Sequence, residues 1–476
     1  MTGVQTCALP ISRAAAAEAD IVVVNHALAC LDLEAGGQVL PVHDVLVVDE
    51  AHALHSAASR SFGADLSPGA LRGLGTLLGR HGAPEGALTA LRRSADHLEG
   101  LLGPLEGQRL VDEQGRSVRG ALQAAAEHLV AARSGVAASE TPEARRAHRL
   151  ASSRLETLRR MGEERPGDVL WVEGRGERAL LRLAPIEVGD PLARHLLTER
   201  PVILVSATLG GPAPFTDFAR SVGLDPDADP GHWGTAPDRG ADPDEIVRET
   251  GCGYVPLEVA TTFSWREQGT LFVDPTLPDP ARARDAWLEA AAAHTVRLVV
   301  AAGGRSLVLC TSRGNVDRFA DALAEADLGV EILRQGGAAP AELTRRFLAD
   351  EHSVLVGTRT FWAGLDAPGS ACVLVVIDRI PFPVPNEPLH AARREHAERT
   401  GLDPFVAVDV PAAALTLAQG AGRLLRRRED RGVVAVLDPR LATRPYRRAL
   451  LAAMPPLRRT VDLDDACASL QSAVED

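Results

Sequence analysis

The 476-residue chain contains no lysine, so all 51 of its basic residues are arginine. A phosphate loop of the form GxxxxGK[ST] is therefore excluded, because its lysine is the side chain that reaches the phosphates. Long apolar runs are missing too. The longest are strand-sized, such as Cys372 to Ile377, whereas a spanning helix needs roughly 20 apolar residues, so no membrane span is expected. Six cysteines, at 7, 30, 252, 310, 372 and 467, show neither CxxC nor paired Cys/His spacing. That excludes a zinc ribbon or disulfide scaffold and reads as the reduced thiols of a cytoplasmic protein. Net positive charge is absent, the balance being −13, which argues against nonspecific polycation behaviour. A local patch survives this average: from Gly420 to Thr460 eleven arginines stand against three acids. That segment is able to face phosphates, or is simply a solvated basic helix.

What is present describes a folded chain long enough for two or three domains, 45% hydrophobic and 24% charged. Short β-branched runs recur at Ile21 to Val24, Val45 to Val48, Val202 to Val205, Leu307 to Cys310, Val354 to Val356, Cys372 to Ile377 and Val433 to Leu437. They are continuous rather than alternating, as in strands covered on both faces of a parallel sheet. Helical stretches separate most of them, so the expected class is α/β with doubly wound sheets, whose ligands sit beyond the carboxyl ends of the strands. Residues 61–165 are rich in Ala, Leu, Arg and Glu at helical spacing and read as a helical insertion. A strand pair, Val169 to Val172 and Ala179 to Leu183, is expected to return the chain to the first sheet, and 212–275 reads as a loop-rich connection. Met1 to Ile11 look like the translation of a sequencing-library adapter, without the basic region or apolar core of a signal peptide. The natural protein is accordingly expected to continue upstream of Ser12.

The polar residues that follow the strands carry the candidate chemistry. Asp49-Glu50-Ala51-His52 follows Val45 to Val48. An Asp directly off a buried strand can reach Mg²⁺ on a nucleotide and the adjacent Glu can orient an attacking water. Taken alone, four residues of this kind equally suit an acidic helix start. Ser206-Ala207-Thr208 follows Val202 to Val205 and can relay hydrogen bonds, or serve as a turn or cap. Gly357 to Gly369, GTRTFWAGLDAPG, offers glycines, Gly364 among them, for close backbone approach to phosphate, and directional polar groups in its hydroxyls, such as Thr358, and in Asp366; Phe361 and Trp362 read as packing rather than base-stacking residues. In Gln419-Gly420-Ala421-Gly422-Arg423-Leu424-Leu425-Arg426 the two arginines are three apart, which on a helix gives them one face and suits fingers toward a γ-phosphate.

In this order the four motifs resemble the superfamily-two helicases of the DinG and XPD type, over Ala19 to about Leu441. Val24-Asn25-His26-Ala27-Leu28 matches the stretch before the DEAH box, and Thr311-Ser312 matches motif IV. The resemblance implies two RecA-like domains, the first in 12–60 and 166–211, the second in 276–476, with 61–165 standing where the family carries its arch. It implies ATP and Mg²⁺ as cofactors, with Asp49 on the metal, Glu50 and His52 beside it, Arg423 and Arg426 on the γ-phosphate, and Gln419, Gly422, Gly364 and Asp366 toward the nucleotide. Ser206, Thr208, Thr311, Ser312, Thr358 and Arg359 are then expected to face single-stranded or forked DNA, traversed 5′ to 3′ by a monomer. Alanine at 363 replaces a glutamate frequent in the family, and no role is carried to it. The family's phosphate loop, and the four cysteines that often hold an iron–sulfur cluster, would precede Ser12, so the cluster is undecided. The chain as given is expected to hydrolyse ATP poorly. The rival expectation is a noncatalytic pseudo-helicase that binds single strands.

Overall fold

The computed structural model describes residues 14–136, 141–197, 200–209, 215–225, 227–228, 253–259, 261–362 and 372–475. Two units divide the chain. The first gathers 1–209, 215–255 and 385–393; the second gathers 210–214, 256–384 and 394–476.

In the first unit, β1 (Leu46–Val48) and β5 (Val202–Leu204) form a two-stranded parallel sheet. The long helices between them are Pro68–Gly79, Glu85–Leu102, Glu113–Ser134 and Pro142–Gly162. Two of these start where local chemistry dictates. Ser67 and Thr141 accept the N–H of Ala70 and Ala144, and proline at the first helical position has no N–H to leave unpaired. Leu88, Leu91, Ala95, Leu98 and Leu102 recur at three- and four-residue spacing and are all buried in one core with the other three helices.

β2 (Ala64–Leu66), β3 (Asp168–Glu173) and β4 (Leu180–Pro185) form a separate antiparallel sheet in the order β2-β4-β3. The expected return of Val169 to Val172 and Ala179 to Leu183 to the first sheet is thus corrected. Leu170, Val172, Leu181 and Leu183 point into the core of the helical insertion, and that shared apolar face decides where the pair packs. Ile21 to Val24 is not a strand either. It has no ladder partner among the described residues, and Ile21 and Val23 are exposed.

The second unit is built on β6 (Gly269–Phe272), β7 (Ser306–Leu309), β8 (Ile332–Arg334), β9 (Val354–Gly357), β10 (Leu374–Ile377), β11 (Gly432–Val436) and β12 (Arg458–Thr460). They lie in the order β12-β6-β11-β10-β7-β9-β8 with every pairing parallel. β6, β7, β9, β10 and β11 are buried at every residue. Their apolar runs are continuous because successive side chains feed opposite faces. Leu307 and Leu309 join a core with Phe347, Leu417 and Leu450, while Val308 joins one with Trp287, Phe319 and Leu470. Among the described residues no helix is long and apolar enough to cross a membrane.

Candidate functional site

In the first unit the ends of β1 and β5 are tied together. Val205 donates to the Val48 carbonyl and Ala51 to the Val205 carbonyl, both at 2.9 Å. This continuation of the parallel ladder carries residues 49–52 alongside Ser206 and Thr208. The His52 Nδ1 lies 2.8 Å from Ser206 Oγ, 3.2 Å from Thr208 Oγ1 and 3.3 Å from Glu50 Oε2. The two hydroxyls are 3.2 Å apart, and the Thr208 N–H donates to Ser206 Oγ at 3.2 Å. Burial lowers the His52 pKa against the opposing pull of the Glu50 carboxylate, which favours the neutral ring.

Asp49 and Glu50 stand exposed beyond β1. One Asp49 oxygen accepts the Glu50 N–H at 2.9 Å, leaving the other for a ligand. Glu50 has φ 48° and ψ 46°, the left-handed region, an arrangement that costs a non-glycine residue about 1 kcal/mol or more and tends to persist at functional sites. His26 adds a support: its Nε2 lies 2.8 Å from the Asp49 carbonyl, while Asn25 caps the helix His26–Glu34 through the Leu28 N–H.

In the second unit the carboxyl edge of the sheet presents a polar row. Read along β6, β11, β10, β7 and β9, the residues just beyond the strands are Asp274, Asp438, Asp378, Thr311 and Thr358. Asp378 is wholly buried. Its Oδ2 accepts from the Thr311 N–H (3.0 Å), the Thr311 hydroxyl (3.1 Å) and the Asn315 amide (2.6 Å), and its Oδ1 from the Arg379 N–H (2.7 Å). Burial raises the Asp378 pKa, and these donors oppose the rise. The Arg379 Nε then donates to Thr311 Oγ1 at 2.7 Å. Asp438 is likewise fully buried, accepting from Arg440 Nε (2.9 Å), Arg440 Nη2 (2.7 Å) and the Ile380 N–H (2.9 Å). Thr358 donates through both N–H (2.6 Å) and hydroxyl (2.9 Å) to Gln335 Oε1.

A chain from Mycobacterium tuberculosis (strain ATCC 25618 / H37Rv) called ATP-dependent helicase DinG is 34% identical over 472 residues, which cover 97% of this chain and 67% of that one. This chain belongs to the DinG helicase family. An Escherichia coli (strain K12) relative, ATP-dependent DNA helicase YoaA, is 30% identical over 487 residues, 96% of this chain and 70% of its own. The family model for the helicase C-terminal domain matches residues 295–457. The solved structure of S. tokodaii Xpd4 aligns with TM-score 0.53 and 16% identity, covering 95% of this chain and 80% of that one, a likeness of fold. Two RecA-like parallel-sheet domains agree with that likeness.

For this DinG-family chain, the structure brings Asp49, Glu50, His52, Ser206 and Thr208 together in the first unit, and Thr311, Ser312 and Thr358 to one sheet edge in the second. Ser312 spends its hydroxyl capping the helix Arg313–Glu325 through the Asn315 N–H. Gly364 and Asp366 lie outside the described residues, and Arg359 opens a short helix, Arg359–Trp362. The expectation that Arg423 and Arg426 share a helical face is corrected. The helix Val410–Ala421 ends before them, with Gln419 in its last turn and Gly422 as its C-cap. Arg423 instead donates through Nε to the Trp362 carbonyl at 2.8 Å, and the N–H groups of Arg426 and Arg427 donate to Asp430 Oδ2 at 2.7 and 2.8 Å. These backbone bonds to an acid four and three residues on close a turn beyond the end of the helix. Phe361 and Trp362 are buried, as packing residues.

Sequence reasoning missed Asp378, Asp438 and Gln335, and it matched His26 to a motif without giving it a role. The first two carried a usable signal: like Asp49, each is an Asp at the end of an apolar run.

Proposed function

We propose that this chain carries hydrolytic and strand-gripping parts of an ATP-dependent DNA helicase that moves 5′ to 3′ along single-stranded DNA in repair or replication. The observation that carries the reading is His52, whose ring touches the Glu50 carboxylate and the hydroxyls of Ser206 and Thr208 at once. A displacement at the hydrolytic carboxylate is thereby felt at hydroxyls set to meet a nucleic acid. Mg²⁺ carried by ATP neutralises phosphate charge when bound. Asp49 suits it as one carboxylate donor. No group of three or more metal-holding side chains occurs among the described residues, which fits a cation held chiefly by phosphates and water.

In this reading Glu50 orients the attacking water, and Arg423 and Arg426 meet the γ-phosphate. Gln419, Gly422, Gly364 and Asp366 complete the nucleotide side. Ser206, Thr208, Thr311, Ser312, Thr358 and Arg359 hold the DNA backbone, which gives grip without sequence preference. The protein acts as a cytoplasmic monomer on single-stranded or forked DNA. With no lysine, the 476-residue chain lacks any GxxxxGK[ST] loop, and its own hydrolysis should be weak. The same absence favours a second reading, a noncatalytic single-strand-binding pseudo-helicase.

Phosphate release by the purified chain, with and without a dT oligonucleotide, is expected to stay at background while the oligonucleotide binds. Turnover near 1 per second or faster would overturn the deficiency. Sequencing upstream of Ser12 separates the two readings: a strand followed by GxxxxGK[ST] supports the motor, and a start codon near Ser12 supports the binding module.

A further inference from the structure

The basic segment 420–460 is not one helix. Its arginines divide between the turn and loop before β11, two short helices with the residue that follows the first, and β12, and they differ in their surroundings. Some are neutralised at home: Arg440 by Asp438, Arg444 by Asp279 at 3.1 Å and Arg458 by Asp465 at 3.0 Å. The others collect. A hollow of about 460 Å³ is lined by Arg266, Pro456, Leu457, Arg458 and Arg459. A second of about 370 Å³ is lined by Arg447, Arg448, Leu451, Ala452 and Arg459. Arg459 belongs to both, so the two form one basic face along β12, the outermost strand of the sheet.

Strand geometry explains the sorting. Arg458 and Arg459 are consecutive and point to opposite sides. Arg458 turns to the helix Leu463–Glu475 and its Asp465 and Ser469, while Arg459 turns to the helix Arg447–Ala453, which opens with two more arginines. Among the described residues no acid lines either hollow, although the chain carries 64 acidic residues. Guarding an exposed strand edge against aggregation would need only charge. The opposite edge does that with Arg334, held by Asp317 and Asp321. At β12 the guanidinium groups of Arg266, Arg448 and Arg459 are instead left to meet an external anion, and several of them in one shallow face suit a repeated anion.

We propose that this face is a second binding site for the phosphodiester backbone of single-stranded nucleic acid, apart from the motif residues. The choice of nucleic acid as the occupant rests on the helicase reading. The lining has no aromatic side chain for a base to stack on, so the contact is to backbone and blind to sequence. Its buried apolar residue, Leu457, belongs to the core of the sheet, and arginines dominate the rest of the lining.

The test is fluorescence anisotropy of a labelled 20-nucleotide dT strand with the full chain, without ATP, between 50 and 200 mM NaCl. R266Q/R448Q/R459Q should weaken binding roughly 10-fold or more at the lowest salt and flatten the log–log salt slope by about 2, at about 0.7 per phosphate contact. R266K/R448K/R459K should restore the slope, and R318Q/R334Q/R345Q, with the same loss of charge, should leave it unchanged. An unaltered slope in the first variant, or an equal loss in both glutamine triples, overturns the site while the helicase reading stands. No binding by the unaltered chain sinks that reading as well. Preferential capture of poly-glutamate by the same arginines would assign the face to an acidic protein and overturn the proposal.

Discussion

His55 shows how burial sets a charge state. It sits on the helix Leu54–Ser61, and its Nδ1 lies 3.3 Å from Arg393 Nη2, which also donates to Ser59 Oγ at 3.0 Å. Burial, reinforced by the neighbouring guanidinium, pushes the His55 pKa down to about 4. The folded value is therefore below the value near 6.5 expected when unfolded. As pH falls below about 6.5 the unfolded chain takes up this proton first, so stability is intact above that point and lost progressively toward pH 4. His55→Gln keeps an acceptor for Arg393 but cannot titrate. Between pH 7 and pH 5 the urea midpoint of the unaltered protein should fall further than that of the variant, and equal falls would count against the assignment. Asp378 poses the opposite case, a buried carboxylate kept acceptable by four donors, with Thr311 and Arg379 positioned as the consequence.

At the level of elements, the second sheet depends on close approach at its carboxyl edge. A Cβ added at Gly357 would lie 2.2 Å from the Phe361 ring, and one at Gly420 would meet Ile377 at 3.0 Å and Trp362 at 3.3 Å. Gly357→Ala should displace Phe361 and cost about 1 to 3 kcal/mol, read as a lowered thermal midpoint. Phe361→Leu in the same chain should recover part of it. The strands most visible in the sequence were those buried on both faces, because a short apolar run such as Leu374–Ile377 favours a strand over a helix by its length, although Ile21 to Val24 shows that length alone does not decide. β8 and β12 were illegible: an edge strand of three residues, two of them arginine in β12, carries no apolar pattern. The placement of β3 and β4 was hidden for another reason. Alternation shows which face of a strand is buried, not which core it is buried in. The DEAH and SAT residues were legible because each follows a strand, whereas the Arg423 to Arg426 stretch misled because helical spacing says nothing about where a helix stops. Asp430, the acid that closes the turn beyond the helix, looks from sequence like any surface acid.

For the molecule as a whole, each unit keeps its candidate residues at the carboxyl edge of its own parallel sheet, where strand ends leave the backbone open to ligands. The net charge of −13 then acts as a background against which arginine faces stand out, so nucleic-acid affinity should depend steeply on salt. The one-sidedness of the second sheet has a practical consequence. The residues named above at its carboxyl edge lie at the other end of the strands from its amino edge. Glu325, exposed at the last turn of the helix Arg313–Glu325, leads toward the start of β8 on that side, and a cation at a helix C-terminus is favourable. In a chain without lysine, Glu325→Lys supplies a single side-chain amine. A dye or a surface coupled there should leave oligonucleotide affinity within about twofold, the shift expected of a neutral surface substitution. It would give the molecule one defined tether with its working edge turned to solution.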